Sequence, residues 1–182
     1  ALDVRPLEVG KAWREQVHRH AAAVLGTLVL LLALLAARRR RFGIAQILLA
    51  AALIAAGIPL YMRGMHDAAV ACAVLGELIL LIAALRWSND DLSRAAAFTL
   101  MLIVFQALLG MWTVTWLLKP VVVMAHLLGG MTTLSMLAWM AWRATDSPVR
   151  IAGANAMRWW LIGAVTVVGI HIGLGCWVSA NY

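Results

Sequence analysis

Six apolar runs, at about 21–37, 43–61, 68–86, 96–117, 121–142 and 159–178, alternate with short polar joins along this chain. Each run comes close to the roughly 20 residues that a helix needs to cross the hydrocarbon core of a bilayer, so all are predicted helical by length and composition. The joins carry turn chemistry or charge, as in Arg63-Gly64 between Met62 and Asp67, Lys119-Pro120, and Asp146-Ser147-Pro148. The pattern predicts an all-α, polytopic helical membrane protein in which residues 1–182 form one transmembrane domain, opened by a polar lead-in at 1–20.

Composition supports that class and narrows the partners. Hydrophobic residues make up 64% of the sequence and charged ones 13%, which excludes an ordinary soluble domain. A net charge of +7 would suggest nucleic acid in a soluble protein. Here most arginines sit in the joins, where they fix orientation, and nucleic-acid binding is excluded. The joins holding Arg38 to Arg41, Arg86 with Arg94, and Arg143, Arg150 with Arg158 alternate with those holding Arg63 and Lys119. The richer set is expected in the cytoplasm, which places residues 1–20, the 62–67 join, the Lys119-Pro120 turn and Ser179 to Tyr182 outside. Arg5, Lys11, Arg14 and Arg19 in the lead-in weaken this bias without reversing it. Cys72 and Cys176 fall inside apolar runs with no CxxC or His/Cys metal spacing around them, as ordinary buried thiols do. The charged opening from Ala1 to His20 lacks the pattern of a cleavable signal peptide.

Most of the histidines cluster toward one side of the predicted membrane. His18, in Glu15-Gln16-Val17-His18-Arg19, sits just before the first span, and His126 follows Pro120 in another span of the same direction. At about 1.5 Å per residue, both lie within roughly 10 Å of the outer interface. His171 falls in the outer half of the last span and His66 in an outer join. A single intramembrane histidine is ordinarily a hydrogen-bonded core residue. Two at matched depth on separate helices are instead placed to clamp a haem between neutral imidazoles. Glu15 precedes His18 by three residues and shares its helical face, within reach of what a metal there would carry. Gly129 and Gly130, just past His126, leave a surface without side chains where a porphyrin can approach the backbone. Small residues equally serve helix packing, the plainer reading for Gly110, Gly163 and Gly169. Arg14 and Arg19 suit haem propionates and lipid phosphates alike. Glu77, in the middle of the 68–86 run, is costly at that depth and implies either a function or a local bond to Gln46 or a backbone carbonyl.

Phe105-Gln106-Ala107-Leu108-Leu109-Gly110-Met111-Trp112 aligns with Ile170-His171-Ile172-Gly173-Leu174-Gly175-Cys176-Trp177, with Leu, Gly and Trp at equal offsets and Gln106 opposite His171. Both stretches close outward-running spans, as in a duplicated helical unit, although apolar composition makes chance matches frequent. Taken with Trp13-Arg14-Glu15-Gln16-Val17-His18-Arg19, the Arg38 to Arg41 join, Leu118-Lys119-Pro120, Met124-Ala125-His126-Leu127-Leu128-Gly129-Gly130 and Gly175-Cys176-Trp177-Val178-Ser179-Ala180-Asn181-Tyr182, the sequence resembles the proteobacterial haem A synthases of cytochrome oxidase assembly.

The resemblance implies an architecture of two pseudo-symmetric four-helix halves. One half holds the substrate, haem O, between two histidines, and the other holds a haem b. It puts Glu15 on a functionally important glutamate, His18 on the ligand of the second family helix and His126 on that of the fourth. It further implies oxidation of a haem methyl group to a formyl group, giving haem A, in the bacterial inner membrane. Membrane lipids, haem O synthase or oxidase assembly factors, and a second copy of the chain are the partners this implies. On the family plan the chain is expected to be an internal portion, with the first helix, the cysteine-bearing outer loops and the haem b ligands lying elsewhere. The helical pair at 43–86 is extra to that plan, and His171 has no family ligand role. Two other classes stay open: a b-type bis-histidine electron-transfer cytochrome, which needs no Glu15, and a structural membrane subunit without haem.

The charge pattern makes topology testable in intact cells. A cysteine replacing Gly64 is expected to react with an impermeant thiol reagent from outside, and one replacing Arg40 only after lysis. The reverse pattern would remove both the orientation and the shared outer depth of the histidines.

Overall fold

A computed structural model describes residues 9–88, 90–115, 119–145 and 154–181. They form α1 (Val9–Ala37), α2 (Gly43–Met62), α3 (His66–Arg86), α4 (Ser93–Thr115), α5 (Pro120–Arg143) and α6 (Ala154–Asn181). Each contains a segment long and apolar enough to cross a membrane, so the described residues make up an all-helical multi-pass membrane protein. The end of the predicted 96–117 run, Arg5, the Asp146-Ser147-Pro148 turn, Arg150 and Tyr182 lie outside the described residues.

The first helix is longer than its apolar run. It begins at Val9, so the polar residues up to His20 are its opening turns. Lys, Arg, Glu, Gln and Ala all favour helix, and a continuous helix enters the bilayer with its backbone already hydrogen-bonded. At the other end the chain reverses sharply into α2 through Phe42, whose φ of 60° is left-handed. Gly43 follows because any Cβ there would strike the Ala37 carbonyl.

Helices α1 to α4 close a ring in which α2 packs on α3, α3 on α4, α4 on α1 and α1 on α2, while α5 lies on α4 and α6 on α5. The buried core is gathered at the end of the bundle that carries Arg38 to Arg41, hereafter the arginine end. It comprises Val29, Ala33 and Ala37 of α1, Ile47 and Ala50 of α2, Leu80, Ala83 and Ala84 of α3, and Ala95, Ala96, Ala97 and Leu100 of α4. Alanines dominate for a physical reason: lipid tails are as apolar as leucine, so helices gain from each other mainly by close van der Waals approach. Larger apolar side chains such as Leu28, Leu31 and Leu35 point outward. Toward the opposite, histidine end, α1 leaves the core, and its residues from Ala12 to Leu25 are exposed.

A polar clasp locks the arginine end. Arg40, in the α1–α2 turn, donates from Nε to Ser93 Oγ (2.8 Å) and from Nη2 to Asp91 Oδ1 (2.8 Å), Ser88 Oγ (2.9 Å) and the Ser88 carbonyl (3.2 Å). The same Asp91 oxygen accepts from the Ser93 amide at 2.9 Å and from its hydroxyl, tying down the start of α4. The Arg40 and Asp91 side chains are only 21% and 16% exposed, so this pair is far better shielded than an ordinary surface ion pair. Burial alone would raise the Asp91 carboxyl; its bonds to Ser93 and the Arg40 guanidinium outweigh that and hold it at about 2, below its usual 3.8.

Because the folded form holds this carboxyl below its unfolded value, its stabilisation is complete above about pH 4 and is lost as the pH falls toward 2. Asp91→Asn is expected to cost roughly 2 kcal/mol and to flatten that acid limb of the thermal stability profile in detergent. An unchanged acid limb would mean that the clasp does not form in the folded protein.

Candidate functional site

The antiparallel register of α4 and α5 decides what surrounds His126. A Cβ built on Gly110 would lie 3.2 Å from His126 Cε1, 3.7 Å from Nε2 and 3.8 Å from Nδ1, so the imidazole rests on the bare backbone of α4. One turn toward the arginine end the arrangement reverses, because a Cβ on Gly129 of α5 would overlap Gln106 Nε2 of α4. Each polar side chain therefore lies over the other helix's glycine. The glycine carbonyls are themselves engaged: Thr113 donates to Gly110 O at 2.7 Å and Thr133 to Gly129 O at 2.9 Å. Two nitrogens in this seam, His126 Nδ1 and Gln106 Nε2, are buried without a well-formed hydrogen bond.

His126 faces away from α6. Met124 and Leu128, each two residues from it and so about 200° around the helix, line an open apolar groove of about 470 Å³ with Ile170, Gly173 and Leu174 of α6. The ring instead lies within electrostatic reach of His18 on α1. These are the two histidines expected to work together, brought to the same end of the bundle from separate helices. His18 is exposed and His126 half-buried.

Around them the remaining candidates take different positions. Glu15 accepts from Arg19 Nη2 at 2.7 Å and Nε at 3.2 Å, and the two side chains are 55% and 62% exposed. The guanidinium is thus already turned to a carboxylate, in a pair worth at most about 1 kcal/mol at such exposure. Arg14 bonds the Gly10 carbonyl. His20 Nδ1 lies 2.8 Å from the Gln16 carbonyl, on another face of α1 from His18. His66 opens α3 with its ring edge-on to Tyr61, centroids 4.9 Å apart. His171 is exposed on α6, two residues from Gly173 and hence on the side away from α5. Gly130 has nothing within 4 Å of a built Cβ, whereas the space at Gly129 holds the Gln106 amide. The Gln46–Glu77 bond considered from the sequence is not made, since Oε1 of each is buried without a partner. Gln46 lies about 4.5 Å along α2 from the arginine end and Glu77 about 13 Å along α3, too far apart axially to meet.

From the sequence alone, Gly110 reads as a packing residue and Gln106 as part of a repeat. A signal for their contacts was present: helices joined by a short turn pair residues equidistant from it. Counting eight residues either way from Leu118 brings Gly110 opposite His126.

A family profile described as cytochrome oxidase assembly protein, COX15-CtaA, matches residues 61–182. His126, Gly129 and Gly130 lie inside that range; Glu15, His18 and Arg19 precede it. A curated relative, Heme A synthase of Shewanella oneidensis, is 39% identical over 116 residues, covering 59% of this chain and 34% of the relative. The match thus spans about a third of that relative's length. No solved structure matches the chain.

The interlocked seam has a measurable signature. Gly129→Ala is expected to destabilise the protein by about 1–3 kcal/mol by displacing the Gln106 amide, and Gln106→Ala in the same chain to recover much of that loss. Thermal unfolding of the two single variants and the double variant tests this; strictly additive effects would mean that the two residues are not in contact.

Proposed function

The chain belongs to the COX15-CtaA family of cytochrome oxidase assembly proteins, and from that membership we propose that it carries the substrate site of a haem A synthase in the bacterial cytoplasmic membrane. The observation that carries this reading is that His18 and His126, from separate helices, lie at one end of the bundle within electrostatic reach of each other. The donor set fits haem. Imidazole nitrogens are its usual axial ligands, and the glycine beneath His126 lets that ring lie against the helix with no side chain between.

In this reading His18 and His126 would hold the iron of haem O, and the reaction oxidises a methyl group on the macrocycle to the formyl group of haem A, water supplying the oxygen while four protons are released and four electrons pass to an acceptor. The protein's own part is to orient the macrocycle and to manage protons beside it. Glu15, one turn from His18 and open to solvent, takes up or positions the proton nearest the reacting methyl. Its bond to Arg19 is weak enough to exchange, leaving Arg19 to pair with a haem propionate. Gly130 offers open backbone to the edge of the macrocycle, and at Gly129 such an approach requires the Gln106 amide to swing aside. Haem O synthase or oxidase assembly factors are the protein partners this function calls for, as sources of substrate or recipients of product. A haem b would belong to a separate site, to which no residue of this chain is assigned.

The Glu15–Arg19 pair favours a second reading, a bis-histidine cytochrome in which Glu15 is only structural. Substitutions in the full-length protein separate the two. His18→Ala and His126→Ala are expected to lower bound haem O and alter its low-spin spectrum, while His20→Ala does neither. Glu15→Gln should keep the haem but reduce its conversion to haem A by about 100-fold, the usual scale for removing a general base. Normal haem A output from Glu15→Gln would leave the cytochrome reading in place, and equal spectral damage from His20→Ala would reject the clamp.

A further inference from the structure

Neutral imidazole has two distinct nitrogens, and which one faces a metal is set by what the other meets. For His126 that choice is made on α4. The ring lies on Gly110, with Cε1 at 3.2 Å from the position a Cβ would take, closer than side chains normally tolerate. In an α-helix the carbonyl of one residue lies beneath the side chain four residues on. A glycine at 110 therefore uncovers the carbonyl of Gln106. Nδ1 of His126 is buried without a hydrogen-bond partner, so a donor on that nitrogen has an uncovered carbonyl on α4 to turn to.

We propose that Gly110 is a positioning residue for His126: its missing side chain lets the imidazole settle on α4 with Nδ1 turned to the Gln106 carbonyl, which leaves Nε2 as the nitrogen presented to substrate iron. The inference rests on the bis-histidine reading above and adds to it the device that fixes tautomer and ring plane. Outer partners of this kind set both the orientation and the donor strength of a metal-bound histidine. Any side chain at position 110 would shield the carbonyl and lift the ring, even if His126 remained in place.

The test uses the full-length protein titrated with haem O and read by absorption and by electron paramagnetic resonance of the ferric low-spin form. Gly110→Val is expected to weaken haem O binding about tenfold or more. Gly110→Ala, which asks the ring to give by only a few tenths of an ångström, should retain binding but shift the low-spin signal. Gly163→Ala on α6, with open space around it, should change neither. A low-spin signal and affinity unchanged in both Gly110 variants, in a protein where His126→Ala removes the signal, would overturn the role of Gly110 while leaving the histidine clamp intact. Haem retained with an unchanged signal in His126→Ala would overturn the clamp itself, and this inference with it.

Discussion

Inside a bilayer, an apolar helix face gains little by exchanging lipid for another apolar helix, so close approach of backbones is what holds such a bundle together. Here that approach occurs where alanines line α1, α3 and α4 at the arginine end. Contact there is tight because alanine methyl groups make up most of the packed surface, with Val29, Ile47, Leu80 and Leu100 filling the space between them. The clasp of Arg40 with Asp91, Ser88 and Ser93 closes the same end with charge-assisted bonds, shielded from competition by solvent. Its residues come from two separate turns, so it fixes the α1–α2 hairpin against the start of α4.

Concentrating the packing at one end frees the other. From Ala12 to Leu25 the residues of α1 are exposed, and His18 is carried there by the stiffness of a helix anchored far below. His126 reaches the same region from α5, which is held against α4 by the reciprocal seating of His126 on Gly110 and Gln106 on Gly129. The structure thus separates two tasks that compete in a small membrane protein. Small residues hold the bundle at the arginine end, while glycines at the histidine end make room for polar side chains.

Polar groups within the spans are settled to different degrees. Glu15 and Arg19 satisfy each other along one helix face, and threonines such as Thr99 and Thr133 return their hydroxyls to the carbonyl one turn back. Gln46, Glu77, Gln106 and His126 each keep a buried atom without a partner. Such atoms are expensive in a low-dielectric interior. Gln106 and His126 face each other's helices in one seam, which gives their arrangement a reason in the proposed chemistry, while Gln46 and Glu77 carry their unpartnered oxygens on α2 and α3.

The six helices were legible in the sequence because runs of about 20 apolar residues leave a chain in lipid no other way to satisfy its backbone. The arginine-bearing joins and the candidate pair His18 and His126 could likewise be read from charge placement and from counting residues along spans. The sequence alone could not show that α1 opens at Val9, since polar residues that favour helix look the same in a lead-in as in a first turn. Nor could it show that Arg40, among four consecutive arginines, is the one drawn into a clasp with Asp91 some fifty positions away. The seating of His126 and Gln106 on opposing glycines also belonged to the tertiary structure. Helical periodicity says which residues share a face, but only the register and closeness of two packed helices determine what each face meets.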